Sequence, residues 1–156
     1  MYLEKMIAQG AGGKCYNSPV MDWVTEQLAI SEYPSSKADL SIFSSILNLD
    51  RYTPYISPVP VVHFPLIDGP GNPPEDVAHI VQRLGAMVEE GKVLVHCAAG
   101  VSRSPYVVAL YFAWKHNVSF EEALARVARR RSRNLNVDAG LLSLTESVLG
   151  LLSERR

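Results

Sequence analysis

Hydrophobic residues recur every three or four positions in one stretch of the chain, which is the spacing of a helix with one buried face. They are Val77, Ile80, Val81, Leu84 and Val88. The pattern predicts an amphipathic helix over Glu75–Glu90. Asn72 is expected to cap its start, because an Asn side chain accepts hydrogen bonds from free helical N–H groups. Gly91 is expected to end the helix.

Short apolar runs bounded by turn residues predict the strands. The predicted strands are Trp23–Val24, Leu28–Ile30, Ser45–Leu49, Pro60–Phe64 and Val93–Val95. The last of these runs is continuously apolar, which is typical of a central parallel strand with both faces buried.

Helical patterns become more frequent in the second half of the chain. A short helix is predicted at Lys37–Phe43 and a largely apolar one at Pro105–His116. Ser119 and Glu122 form a capping-box pattern for a helix that ends near Arg131. Asp138 is expected to cap a last, Leu-rich helix. The fold class is therefore predicted to be α/β, with a central, mostly parallel sheet of about five strands flanked by helices.

Length, composition and net charge limit the classes of protein to which this chain can belong. The chain has 156 residues, of which 47% are hydrophobic, and its net charge is -1. This size fits one domain, and the charge gives no general attraction to nucleic acid or membranes. No apolar run reaches the roughly 18 residues of a membrane span, and the N-terminus does not resemble a secretory signal. We expect no nucleic-acid partner and no membrane insertion; the sequence does not indicate the oligomeric state.

The two cysteines, Cys15 and Cys97, are too few for a disulfide framework, so a reducing, cytoplasmic location is expected. Cys15 lies in a Gly-rich stretch and is interpreted as a bystander thiol, the alternative being a thiol that protects Cys97 from oxidation.

The stretch VLVHCAAGVSRSP, from Val93 to Pro105, is predicted to run from strand through a tight loop into a helix. Such a loop directs its backbone N–H groups inward at the positive end of a helix and forms an anion site. Gly100 permits a tight turn, and small side chains let the backbone approach an oxyanion. Arg103 adds a planar fork that matches two phosphate oxygens. Cys97 opens the loop, where these groups are expected to stabilise a thiolate.

Residues 96–104 resemble the HCxxGxxR signature of cysteine-based protein tyrosine phosphatases, and the Ala-Gly-x-Ser-Arg-Ser form is typical of the dual-specificity branch. The resemblance extends more weakly from Trp23 to Leu149, including SEYPSSKADL and ILNLD. It implies the cysteine-phosphatase fold. We accordingly expect a flexible N-terminal segment over residues 1–21 and a dual-specificity phosphatase catalytic domain over residues 22–153.

The resemblance also implies roles for individual residues. Cys97 would be the nucleophile, and Ser104 would donate a hydrogen bond to its thiolate. His96 would orient the loop. The phosphate would bind to Arg103 and to the loop backbone. The predicted substrate-binding residues are Ala98, Ala99, Gly100, Val101, Ser102 and Arg103.

The family uses an aspartic acid about thirty residues upstream as general acid and base. Asp68 lies 29 positions before Cys97, in a loop that follows a predicted strand. Asp76 is the alternative, but it falls in the first turn of a predicted helix, where a carboxylate complements the helix dipole.

Other polar residues have simpler interpretations. His63 is expected to be structural, and no metal site is predicted because no Cys/His cluster has ligand spacing. A run of arginines from Arg126 to Arg133 is interpreted as a solvated face, the alternative being a patch that recruits acidic substrates. By resemblance, Arg131 or Arg133 supports the catalytic loop. Many relatives carry a Pro-Asn element or a water-positioning glutamine downstream of this helix, whereas this chain has Asn134 and Asn136 but no glutamine there, so the residue that assists hydrolysis is left open.

The predicted function is hydrolysis of phosphotyrosine, and of phosphoserine or phosphothreonine, in protein partners, without metal or cofactor. The loop Ser31–Lys37 is expected to form one wall of a shallow pocket. One alternative keeps the chemistry but acts on a phosphoinositide or an RNA 5′-phosphate; the uncharged Ala98, Ala99 and Val101 argue against a highly anionic ligand. A non-catalytic phosphate-binding module and a redox or sulfur-transfer enzyme are weaker alternatives.

Overall fold

The computed structural model describes residues 21–51 and 55–155. The strands form one sheet in the order β1-β2-β5-β3-β4. Their bounds are β1 Met21–Trp23, β2 Leu28–Ser31, β3 Ser45–Asn48, β4 Val61–His63 and β5 Val93–His96. The helices are α1 Pro74–Glu90, α2 Arg103–His116, α3 Phe120–Arg130, α4 Ala139–Leu142 and α5 Thr145–Ser153. All five predicted strands form, with ends shifted by at most two residues, which confirms the predicted fold class.

The sheet is parallel except for β1, which pairs antiparallel with β2. β5 lies in the centre, where all four of its residues are buried. Ser31 of β2 and Asn48 of β3 are both in register with His96, the last residue of β5. The carboxyl ends of three neighbouring strands therefore meet at one edge of the sheet. In open α/β sheets, ligands bind outside this edge.

The two faces of the sheet are covered differently, because successive strand residues point to opposite sides. Val93 and Val95 belong to a large core that includes buried residues of all five helices. Leu94 belongs to a smaller core, which Leu40 and Phe43 cover from the segment between β2 and β3. Helix α2 lies deepest, with ten of its 14 residues buried, and so its position is fixed by packing on several sides.

Two sequence predictions about local structure are wrong. The segment Lys37–Phe43 forms only a 3-10 turn at Leu40–Ile42, in which the Asp39 carboxylate accepts the N–H of Ser41. Asn72 does not cap α1; the N-cap is Pro73, and no side chain caps the helix. The Asn72 amide instead binds the backbone of the preceding loop.

The predicted end of α1 at Gly91 is confirmed. Gly91 has a φ of 152°, and a Cβ there would lie 2.0 Å from the Ser44 hydroxyl oxygen, so a side chain is excluded. Ser119 and Asp138 cap α3 and α4 as predicted, accepting the N–H groups of Glu122 and Gly140. Residues 1–20, including Cys15, lie outside the described residues, and so does most of the predicted flexible N-terminal segment. The last residue of that predicted segment, Met21, is described and begins β1.

None of the helices in the described residues has the length and apolar character that a bilayer crossing requires.

Candidate active site

The loop between β5 and α2 runs from Cys97 to Ser102 at the carboxyl edge of the sheet. Cys97 is buried at its start, and its Sγ lies 3.2 Å from the Ser104 hydroxyl oxygen in the first turn of α2. Helix α2 begins at Arg103, two residues before the predicted start. Ser104 is thus oriented by the helix, and its hydroxyl can donate to a thiolate.

Gly100 is required by the turn of this loop. Its φ is 74°, in the left-handed region that L-residues with a side chain rarely adopt. A Cβ at this position would lie 2.7 Å from the Ser31 carbonyl oxygen and 2.3 Å from Nη2 of Arg131. The loop can therefore pack this closely against β2 only with glycine at position 100.

The backbone of the loop presents free donors. Among the described residues, no acceptor binds the N–H groups of residues 98–103, whereas the carbonyls of Ala98, Gly100 and Val101 each accept a hydrogen bond from the surrounding protein. The N-terminus of α2 adds its partial positive charge at the same place. The loop is thus held through its carbonyls, and its N–H groups are available to an oxyanion.

Arg103 lies beside the loop with few strong protein contacts. Its Nη1 is 3.3 Å from the Leu66 carbonyl oxygen and 3.5 Å from a carboxylate oxygen of Asp50, and its buried Nε has no partner among the described residues. The guanidinium therefore keeps donors for a ligand. Sequence reasoning missed Asp50; the available signal was an acidic residue directly after a buried strand, in SILNLD.

Asp68 is brought to the loop, as predicted. The Ser102 hydroxyl donates to one carboxylate oxygen of Asp68 at 2.6 Å, and Asp68 is otherwise exposed. The alternative, Asp76, lies exposed in the first turn of α1. Within the described residues, no hydrogen bond or ion pair joins Asp76 to the catalytic loop.

His96 is fully buried behind the loop. Its Nδ1 is 3.2 Å from the Cys97 carbonyl oxygen, and its Nε2 is 2.8 Å from the Tyr55 hydroxyl. Burial lowers the pKa of His96 to about 4, although the Cys97 carbonyl and the Asp50 charge act in the opposite direction. The imidazole is therefore neutral, with its proton assigned to Nδ1 because a carbonyl can only accept.

Tyr55 supplies the other half of this contact. Burial, and then the charge of Tyr33, raises the pKa of Tyr55, so its hydroxyl stays protonated and donates to Nε2 of His96. The Tyr33 ring packs edge-on against both Tyr55 and His96, at 5.4 Å between centroids. Sequence reasoning missed Tyr55, since its partner lies 41 positions away along the chain.

Of the two arginines proposed to support the loop, Arg131 does so. Its Nε donates to the Gly100 carbonyl at 2.9 Å, and its Nη1 binds the Asp22 carboxylate at 2.5 Å. Arg133 instead forms an ion pair with Glu32 at 2.7 Å, with both side chains partly exposed.

The remaining predicted residues have backbone or structural contacts. The N–H of Asn136 donates to the Val101 carbonyl, and the N–H of Tyr33 donates to the Ala98 carbonyl, which places the loop Ser31–Lys37 beside the catalytic loop. His63 binds the Asp50 carbonyl, as a structural histidine.

Glu122 pairs with both Arg126 and Arg129 on the surface of α3. Over residues 21–51 and 55–155, no three His, Cys, Asp or Glu side chains cluster closely enough to hold a metal ion.

Comparison with known proteins identifies relatives of this arrangement. The family described as the dual specificity phosphatase catalytic domain matches residues 75–145. A dual specificity protein phosphatase of vaccinia virus is 30% identical over 119 residues, which are 68% of this chain and 66% of the viral protein. Dual specificity protein phosphatase 2 of mouse is 42% identical over 62 residues, which are 38% of this chain and 20% of the mouse protein.

Among solved structures, human DUSP28 superposes with a TM-score of 0.73 and 23% identity, over 87% of this chain and 99% of that chain. At 23% sequence identity, this structural similarity shows that the two proteins share a fold. The curated relatives differ in size: this chain spans 66% of the vaccinia protein but only 5% of a Dictyostelium relative. The part matched by the family spans most of α1, the β5–loop–α2 unit, α3 and α4.

Proposed function

Because the chain belongs to the dual-specificity phosphatase family, we propose that it hydrolyses phosphate monoesters of protein side chains through a covalent cysteinyl-phosphate intermediate. The observation that carries this proposal is the juxtaposition at the carboxyl edge of the sheet. There, the Cys97 sulfur lies at the start of a loop whose N–H groups at residues 98–103 have no acceptor within the described part of the chain, with Arg103 beside it.

In the first step, the substrate phosphate binds to the loop N–H groups and to Arg103. The Cys97 thiolate attacks phosphorus, and the bond from phosphorus to the leaving oxygen breaks. Asp68 donates its proton to that oxygen. The fixed donors stabilise the charge on the three equatorial oxygens in the transition state.

In the second step, Asp68 accepts a proton from a water molecule, whose oxygen attacks phosphorus. The S–P bond breaks, inorganic phosphate leaves, and the sulfur becomes a thiolate again. The Ser104 hydroxyl, 3.2 Å from Sγ, donates to this thiolate and makes it a better leaving group. His96, which is neutral and buried, acts through the Cys97 carbonyl and has no proton-transfer role.

Phosphotyrosine is the primary substrate class that we propose, with phosphoserine and phosphothreonine as further substrates, in cytoplasmic phosphoproteins. The side chains that follow Cys97 are uncharged at Ala98, Ala99 and Val101, which suits a single phosphate group. A groove of 470 Å³ between residues 34–40 and 55–58 lies next to Tyr55 and offers room for the flanking peptide.

The test replaces the nucleophile while keeping the binding loop. Cys97→Ser is expected to abolish hydrolysis of an aryl phosphate, measured with a chelator present, and to retain vanadate binding. Ser104→Ala, the milder control, should slow the second step and so accumulate the cysteinyl-phosphate in a rapid-quench experiment. Normal hydrolysis by Cys97→Ser would contradict the covalent mechanism.

The substrate class is tested separately, with a panel of phosphotyrosine and phosphothreonine peptides and phosphoinositides. We expect the highest kcat/KM on phosphotyrosine peptides. A phosphoinositide turned over faster than every peptide would reject the proposed substrate class and leave the chemistry intact.

A further inference from the structure

Ser102 connects three parts of the site through one hydroxyl group. Its oxygen accepts the N–H of Asp138 at 3.0 Å and donates its only proton to Oδ1 of Asp68 at 2.6 Å. The direction of the second bond is not ambiguous, because a backbone N–H cannot accept and a carboxylate oxygen is the remaining partner. Ser102 is buried and Asp68 is exposed, so the bond between them joins the protein interior to the surface.

The loop that carries Asp68 is fixed internally. The Asn72 side chain accepts the N–H of Ile67 at 2.9 Å and donates to the carbonyls of Ile67 and Gly69 at 2.8 and 3.2 Å. Asn72 is itself buried. These contacts tie the backbone on both sides of Asp68 to one buried side chain, so the Ser102 bond is the contact that holds the Asp68 carboxylate itself.

The start of α4 packs against the same loop. A Cβ on Gly140 would lie 2.4 Å from both Cδ and N of Pro70, so the α4 backbone touches the loop directly. Asp138, two residues earlier, caps α4 through the N–H of Gly140 and gives its own N–H to Ser102. Residues 138–140 therefore hold Ser102 and the Asp68 loop against each other.

We propose that Ser102 is a positioning residue that holds Asp68 at the catalytic loop before substrate arrives, with residues 138–140 as the support for both. This inference rests on the proposed function, in which Asp68 transfers the proton. With Oδ1 occupied by Ser102, the transferred proton is carried by Oδ2. The acid loop then needs no closing movement when the phosphate binds.

The first test is Ser102→Ala, which removes the donor and keeps the small side chain. A general acid contributes roughly 10²–10⁴-fold to rate, and we expect loss of its positioning to lower kcat about tenfold for phenyl phosphate. For p-nitrophenyl phosphate, whose leaving group needs little protonation, kcat should fall less than about threefold, with KM unchanged for both. Ser102→Thr keeps a hydroxyl and should restore most of the loss.

The double variant identifies the residue through which Ser102 acts. In an Asp68→Ala background, Ser102→Ala should have no further effect on phenyl phosphate, because the group that it positions is absent. Ser153→Ala removes a serine hydroxyl that donates to the Gly150 carbonyl on α5, away from Asp68, and it should match the wild type. An equal loss on both leaving groups, or a rise in KM alone, would overturn the proposal and assign Ser102 to phosphate binding.

A measurement without turnover separates this proposal from the proposed function. Hydrogen exchange of the Ile67 N–H should become about tenfold faster in Ser102→Ala, while exchange within β5 stays unchanged. Gly140→Ala, which pushes on Pro70 and leaves Ser102 intact, should have the same effect. Unchanged exchange in both variants would reject the positioning role, whereas inactive wild-type protein with the expected exchange would reject only the phosphatase chemistry.

Discussion

Two arginines, the buried Arg131 and the partly buried Arg103, lie beside the loop of residues 97–102 and differ in their contacts. Arg131 is completely buried, and its Nε and Nη1 bind the Gly100 carbonyl and the Asp22 carboxylate at 2.9 and 2.5 Å. Arg103 is slightly exposed, its two protein contacts are 3.3 and 3.5 Å long, and its Nε is unpartnered among the described residues. Nη2 of Arg131 is also unpartnered among the described residues, so the two guanidiniums differ in exposure and in the length of the hydrogen bonds that they make.

This difference shows how the protein can hold the loop in place with one arginine and leave hydrogen-bond donors of the other available to a ligand. Charge-assisted hydrogen bonds are short and strong when their partners are aligned, as they are at Arg131. Arg131 holds the turn at Gly100 through the Gly100 carbonyl and does not use the N–H groups of the loop. Arg103 has the weaker contacts with Asp50 and Leu66, and in the proposed function a phosphate would replace them at small cost. We infer that Arg131 contributes mainly to stability and Arg103 mainly to binding of the transition state.

The largest effect is expected for Arg103→Lys. Lysine keeps the charge but lacks the planar fork that binds two phosphate oxygens, so kcat/KM should fall about 10³-fold or more. Stability should change little, because the lost protein contacts are long. Aryl phosphate kinetics and thermal unfolding of the same sample measure both. Near-normal kinetics would show that a point charge at position 103 suffices.

Arg131→Met is the complementary change. It leaves the Asp22 carboxylate and the Gly100 carbonyl without their buried donor, and breaking such a pair destabilises by about 3 kcal/mol. Asp22 is partly exposed and can recover some hydration, so the lower end of the usual range is appropriate. Denaturant unfolding measures the loss. Asp22→Asn, which keeps an acceptor for Arg131, should cost less; an equal cost would mean that the charge of Asp22, and not its hydrogen bonding, matters.

His96 is a buried basic side chain behind the same loop, but unlike the two arginines it carries no charge. Its pKa is about 4 in the folded protein against 6.5 when unfolded. Between these values the unfolded chain binds more protons, so stability falls as the pH falls below 6.5 and is constant with respect to this group above it. From pH 6.5 to about pH 5 the loss should reach about 2 kcal/mol.

The control for this pH dependence is His96→Gln, which does not titrate in this range. The difference in unfolding free energy between the wild type and the variant, followed by denaturant titration at each pH, isolates the histidine from the carboxylates. A difference that does not change between pH 7 and pH 5 would mean that His96 is protonated equally in both states.

Most of the site residues that sequence reasoning named are contiguous along the chain, and Asp68 and Arg131 are the exceptions. Cys97, Gly100, Arg103 and Ser104 lie in one strand–loop–helix unit, whose spacing fixes their geometry locally. The turn needs a positive φ at Gly100, and the start of α2 fixes Ser104 relative to Cys97. The strands were predicted for a similar reason, because continuous apolar runs between turn residues have few alternatives.

The contacts that sequence reasoning missed join distant segments. Asp50 meets Arg103 across 53 positions, and Tyr55 meets His96 across 41, so neither pairing has a local pattern. Asn72 was assigned to a helix cap because its position allows one. Its side chain instead binds the loop at Ile67, since α1 begins at Pro74 after the N-cap Pro73 and neither proline has an N–H to donate.

The smallest effect is expected for Arg133→Ala, two residues beyond Arg131. Its ion pair with Glu32 is as short as many buried ones, at 2.7 Å, but both side chains are partly exposed. Water screens such pairs, so the loss should be about 0.2–1 kcal/mol and should shrink in high salt. Unfolding at low and high ionic strength, beside Arg131→Met, tests whether burial explains the difference between the two arginines. If Arg133→Ala lowered the unfolding free energy as much as Arg131→Met does at both salt concentrations, the partly exposed Arg133–Glu32 pair would contribute as much to stability as the buried Arg131–Asp22 pair. Burial would then not explain how much Arg131 and Arg133 each contribute to stability.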